Sequence, residues 1–101
     1  MKGEQIMART VGIIESRSLV DLMEATDRAS KSADVRFVRY ERIGEGRVAT
    51  VMEGDIANLQ IALEAARNGH HENGISTRLL TNVDPGLLGV FGLPGGKPWR
   101  W

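Results

Sequence analysis

Three carboxylates, Glu15, Glu53 and Asp55, are the side chains of this chain best suited to proton transfer. Glu15 and Glu53 each stand at the end of a run that reads as a strand, and Asp55 follows closely. If those strand ends lie together, the three carboxylates meet, and neighbouring carboxylates in different surroundings divide acid and base roles. No companion nucleophile is suggested, and Asp55 has a sufficient job as a helix cap. His70 and His71 are the other chemical candidates. Adjacent side chains do not converge on one ion, and no third ligand stands at metal spacing. A protonated imidazole just past a helix C-terminus suits the helix dipole instead. The chain has no cysteine, which removes disulfides, thiolate catalysis and thiolate metal sites together. Neither a cofactor nor a metal is expected, and the reading is of a protein without enzymatic activity.

Gly44-Glu45-Gly46 is the stretch whose spacing says most. It is not a phosphate loop. A P-loop needs GxxxxGK[ST], and a dinucleotide loop needs GxGxxG opening a helix; here the glycines open a strand. Two glycines around one residue fit a tight hairpin turn with positive φ. Trp99 and Trp101, near the last residue, read either as a floppy tail or as a clamp laid on a neighbouring subunit or partner.

The elements that must position these groups are those of one domain, because 101 residues suffice for one. A monomer of this mass exposes on the order of 5,600 Å², so much apolar surface is left for partners. Thirteen basic and thirteen acidic residues cancel. That argues against nucleic-acid binding by bulk charge and suits a protein that packs against its own copies. No run of about 18 apolar residues spans a membrane, and the N-terminus lacks the apolar run of a secretory signal. Met7 is a candidate start, with residues 1–6 as an extension.

Residues 10–15 read as a first strand. Ser18, with Asp21 three residues on, resembles a capping box opening a helix over 18–32. Leu19, Leu22, Met23, Ala29 and Ala33 fall near one face of it. Residues 35–42 form a second strand, and 47–53 a third joined to it by the tight turn, so these two are antiparallel. Asp55 caps a second helix over about 56–68. This helix carries one stripe of Ile56, Leu59, Leu63 and Ala66 and another of Ala57, Ile61 and Ala65, an unusually wide apolar arc. Residues 75–81 are a fourth strand. Pro85 is placed to open a short C-terminal helix over 84–91, and a turn-rich tail follows. The order β-α-β-β-α-β predicts an α+β, ferredoxin-like α/β sandwich with a four-stranded antiparallel sheet. Two helices cover one sheet face, and the other must find solvent or a partner.

Several blocks together resemble bacterial microcompartment shell proteins, the single-domain, hexamer-forming type of carboxysomes and metabolosomes. Gly12-Ile13-Ile14-Glu15-Ser16-Arg17-Ser18-Leu19-Val20 is similar to the opening signature of that family. Glu24-Ala25-Thr26-Asp27 with Lys31 is similar to its first helix, and Tyr40-Glu41-Arg42-Ile43-Gly44-Glu45-Gly46 to its pore loop. Gly54-Asp55-Ile56 with Ala62 to Ala66 is similar to its third strand and second helix. The resemblance covers residues 8–91, between an extension at 1–7 and a tail at 92–101.

The resemblance implies a shell subunit whose cyclic hexamers tile edge to edge, with other shell proteins, into the wall of a compartment in the bacterial cytoplasm that encloses enzymes. It implies that Arg42, Ile43, Gly44, Glu45, Gly46 and Arg47 line a central pore for small metabolites. Lys31 falls at the family's edge lysine, with Arg78 and Asn82 at the same hexamer edge. The family often carries arginine near Asn82, and a small polar residue where Glu45 stands. Two alternatives belong to other classes. One is a small ferredoxin-like oligomeric ligand-binding regulator, which would need a long exposed capture loop. The other is a small enzyme with a catalytic arginine after the first strand, where Arg17 is the only candidate.

Glu45 sets the electrostatic question. Six-fold symmetry gathers six copies in one ring. Two unit charges about 6 Å apart repel by roughly 0.7 kcal/mol in water, and by more in a confined neck. A lumen-facing Glu45 favours cationic or neutral solutes; pairing with Arg42 or Arg47 screens the ring.

Overall fold

The chain folds, in a computed structural model describing residues 9–68 and 74–83, as six elements. They are β1 (Arg9–Ser16), α1 (Leu19–Ser32), β2 (Arg36–Gly44), β3 (Arg47–Glu53), α2 (Ile56–Asn68) and β4 (Ser76–Val83). The strands make one antiparallel sheet in the order β2-β3-β1-β4. This is the ferredoxin-like arrangement expected from the element order. The short C-terminal helix, the tail with Trp99 and Trp101, the extension at 1–7 and the His70-His71 pair lie outside the described residues.

Each helix starts where its cap dictates. Ser18 Oγ accepts from Asp21 N at 3.1 Å, the forward half of the anticipated capping box. The return half differs: Ser18 N donates to Ser16 Oγ at 3.0 Å. Asp55 caps α2 as expected, its Oδ1 accepting from Asn58 N at 2.8 Å. A side-chain staple then ties the two helices. Arg28 donates from Nε to Ala65 O at 3.2 Å and from Nη2 to Ala66 O at 2.7 Å. A guanidinium there satisfies carbonyls that the last turn of α2 leaves unpaired.

Between helices and sheet lies the larger core cluster. Ile14 and Met52 rise from the sheet to meet Leu22, Ala25 and Ala29 of α1 and Leu59, Ala62, Leu63 and Ala66 of α2. Thr50, fully buried, shares a hydrogen bond of 2.8 Å with Thr26, which itself donates to Leu22 O at 2.7 Å. Gly12 sits beneath α2. A Cβ there would stand 3.0 Å from Leu59 Cδ2 and 3.4 Å from Leu63 Cδ2, so α2 packs so closely on β1 that a methyl group at position 12 would press on both leucine side chains.

The α1 stripe is rotated from the expected one. Leu22, Ala25, Thr26 and Ala29 are buried, while Leu19 and Met23 are about half exposed. The wide arc on α2 has the same outcome. Leu59, Ala62, Leu63 and Ala66 turn inward, and Ile56 and Ile61 are left at the surface. On the sheet face away from the helices, Val11 and Val51 form a second, smaller cluster with Ile13, Val38 and Leu80.

Candidate functional site: the β2-β3 hairpin and its base

Gly44 pairs with Arg47, leaving Glu45 and Gly46 as a two-residue loop. Gly44 has φ +93°, Glu45 +53° and Gly46 +75°. Positive φ at both loop residues is the type I′ geometry, whose twist matches that of the strands it joins. Glycine accepts this region without strain, but glutamate does not. A Cβ added at Gly44 or Gly46 would meet nothing within 4 Å. The tip therefore stands clear of its own domain, with Ile43 and Glu45 exposed.

The base of the hairpin is built differently. Glu15 closes β1 opposite Ala49 of β3 and Ser76 of β4. Its carboxylate is nearly buried. Arg47, first residue of β3, donates from Nη2 to Glu15 Oε1 at 2.6 Å. Arg78 of β4 brings Nη2 to 3.6 Å from Glu15 Oε2. One carboxylate thus lies between two guanidiniums from the strands either side of it. A partly buried, hydrogen-bonded pair of this kind holds its geometry more firmly than a surface pair. An open cleft of about 370 Å³ lies beside it, lined by Glu15, Ser16, Arg17, Ser18 and Arg47 among others.

Two further arginines of the hairpin are also matched. Arg36 meets Glu53, and Arg39 Nη2 lies 2.5 Å from Glu41 Oε1. Arg42 and Glu45 make no ion pair among the described residues. Arg47, one of the two arginines expected to offset Glu45, has Glu15 as its partner instead.

The hypothetical acid/base group is taken apart by the sheet. Glu15 at the end of β1 faces Ala49 at the start of β3, whereas Glu53 at the end of β3 faces Val11. An antiparallel pair sends its C-terminal ends in opposite directions, which separates Glu15 from Glu53 by about four residues of strand, or roughly 13 Å. Asp55 is occupied as the α2 cap. Arg17 is exposed in the turn between β1 and α1.

The edge candidates lie apart from the hairpin. Lys31, in the last turn of α1, pairs with Asp27 at 3.1 Å, and both side chains are largely exposed. Arg78 is on β4 opposite Ile13. Asn82 belongs to the same strand, and its side chain lies outside the described residues. No described contact joins Lys31 to Arg78.

Sequence reasoning missed the Glu15–Arg47–Arg78 cluster and the Arg28 staple. The first was within reach: β1-β3 pairing puts the end of one strand beside the start of the other. The second depends on the helix crossing, which no local spacing encodes.

A BMC domain spans residues 10–83. The carboxysome shell protein CcmK2 of Synechocystis sp. is 36% identical over 85 residues, covering 80% of this chain and 82% of that protein. The carboxysome shell protein CcmK1 of Thermosynechococcus vestitus is 37% identical over 85 residues, covering 80% of this chain and 75% of that protein. The bacterial microcompartment shell protein PduA of Salmonella typhimurium is 38% identical over 55 residues, covering 54% and 58%. The fold is shared with a crystal structure of a microcompartment protein from Desulfitobacterium hafniense DCB, at TM-score 0.73 and 22% identity, covering 93% of this chain. This chain spans about half the length of that one, 51%. The chain belongs to the BMC domain family, as a structural shell protein of bacterial microcompartments rather than an enzyme.

Proposed function

We propose that six copies close into a cyclic, flat hexamer whose centre is ringed by the β2-β3 hairpins. The observation that carries this reading is the tip itself. The left-handed turn carries a strained glutamate between two glycines that stand clear of the domain, a cost that packing within the subunit does not explain. Strain kept without a packing reason points to function. Arg42, Ile43, Gly44, Glu45, Gly46 and Arg47 then form the rim and neck of a pore for small metabolites.

The surface supports association. Leu19, Val20, Met23, Phe37, Tyr40, Ile43, Ile56 and Ile61 are all more than two-fifths exposed. Phe37 and Tyr40, with ring centroids 4.9 Å apart, stand on the edge strand β2 beside Met23 of α1. Apolar surface of this extent on a small domain marks a contact site. Lys31, Arg78 and Asn82 make the outer edge, where hexamers meet one another and other shell proteins. The shell domain runs over residues 8–91, and the assembled wall encloses enzymes in the bacterial cytoplasm. Native mass spectrometry tests the ring: six copies are expected, and a stable monomer or trimer defeats the reading. Electron microscopy of concentrated protein tests the tiles.

A further inference from the structure

We propose that Glu15 is a specificity-determining positioning residue: it turns the Arg47 guanidinium back from the Glu45 rim into the base of the hairpin and so fixes the ion preference of the pore. This rests on the pore reading above. Arg47 is the residue immediately after the hairpin loop, with a long side chain and a permanent charge. Left alone, it would reach whichever solute or carboxylate lay nearest, and Glu45 is two residues away. Glu15 removes that choice. Its nearly buried carboxylate accepts from Arg47 at 2.6 Å, and Arg78 approaches the second oxygen from the far side. The charges of Arg36 and Arg39 lie beside Glu53 and Glu41. What the hairpin shows its surroundings is therefore Glu45 with Arg42, and Arg47 is subtracted.

Six-fold repetition multiplies any change. Replacing Glu15 with the isosteric, neutral glutamine unmasks one positive charge per subunit close to the axis. Removing Arg47 instead unmasks the negative charge of Glu15. The two single variants therefore shift the pore in opposite directions by similar amounts, and the double variant returns it to its starting preference. An Arg47 pointing freely into the lumen predicts otherwise. Arg47→Gln would then have a large effect and Glu15→Gln, buried behind it, almost none.

The test is the reversal potential of hexamers in a planar bilayer under a potassium chloride gradient. Glu15→Gln is expected to lower the cation-to-anion permeability ratio by about fourfold, because six added charges act together and are only partly screened at physiological ionic strength. Arg47→Gln is expected to raise it by a similar factor, and Glu15→Gln/Arg47→Gln to restore it. Glu45→Gln is the control for the pore. A shift with Glu45→Gln but none with Glu15→Gln overturns the role of Glu15 and leaves the pore standing. No shift with any of them overturns the hairpin as the rim. If Glu15→Gln does not fold, the size of the Arg47→Gln shift decides: an unchanged ratio, or a rise well beyond about fourfold as a guanidinium free in the lumen gives, defeats the proposal.

Discussion

The helix-covered core and the tip of the β2-β3 hairpin are held by opposite means. Leu59 is fully buried, and Gly12 lies where an added Cβ would crowd Leu59 and Leu63 of α2. Around Gly44 and Gly46 nothing lies within 4 Å of an added Cβ, and the glycines are there for their φ alone. Packing fixes the first region and torsion the second. Three glycines of one sequence thus report two constraints, space at Gly12 and handedness at Gly44 and Gly46.

The contrast can be broken most sharply in the core. Leu59→Ala removes a fully buried side chain from between β1 and α2, and is expected to lower unfolding free energy by about 3 kcal/mol. Urea denaturation followed by circular dichroism measures it. A loss below about 1 kcal/mol would mean the site collapses freely, as tightly packed interiors rarely do. Gly12→Ala should cost about 2 kcal/mol, because Leu59 and Leu63 must give way to a new methyl group. If it proves neutral, space is not what the glycine provides.

At the tip the sign reverses. Asparagine tolerates the left-handed region better than glutamate, so Glu45→Asn is expected to raise stability by about 0.5 kcal/mol, read as a higher melting temperature. A decrease would show that Glu45 makes stabilising contacts in the assembly. The smallest effect on folding belongs to the outer edge. Lys31→Ala breaks an exposed i,i+4 pair and should change stability by no more than about 0.3 kcal/mol. Its expected consequence lies elsewhere: extended sheets vanish from electron micrographs while the ring mass persists.

Much of the fold was legible because local signals agreed with one another. Ser18 and Asp55 marked both helix starts, and Gly44-Glu45-Gly46 marked the tight turn between β2 and β3. The element order then left few topologies. The rotation of α1 was not legible. Leu19 and Met23 share a face with Leu22 in the sequence pattern, but the helix rolls to place small residues, Ala25 and Ala29, against α2. An apolar stripe cannot say which of its flanks a partner will cover. The acid/base idea failed because strand ends were imagined together without antiparallel direction. The charge of the hairpin also could not be settled locally: Arg47 lies two residues from Glu45, yet its partner Glu15 is thirty-two residues away.

Because the glycines of the hairpin tip stand clear of the packed core, a change at the tip is felt by folding only through its own torsions. On the proposed pore reading, a change at position 45 alters what the ring admits while leaving the packing of the core untouched. Such a tip behaves as an interchangeable fitting on a fixed body. If that reading holds, a lineage can retune the traffic through a shell wall in single steps, with no compensating repair in the core of the domain.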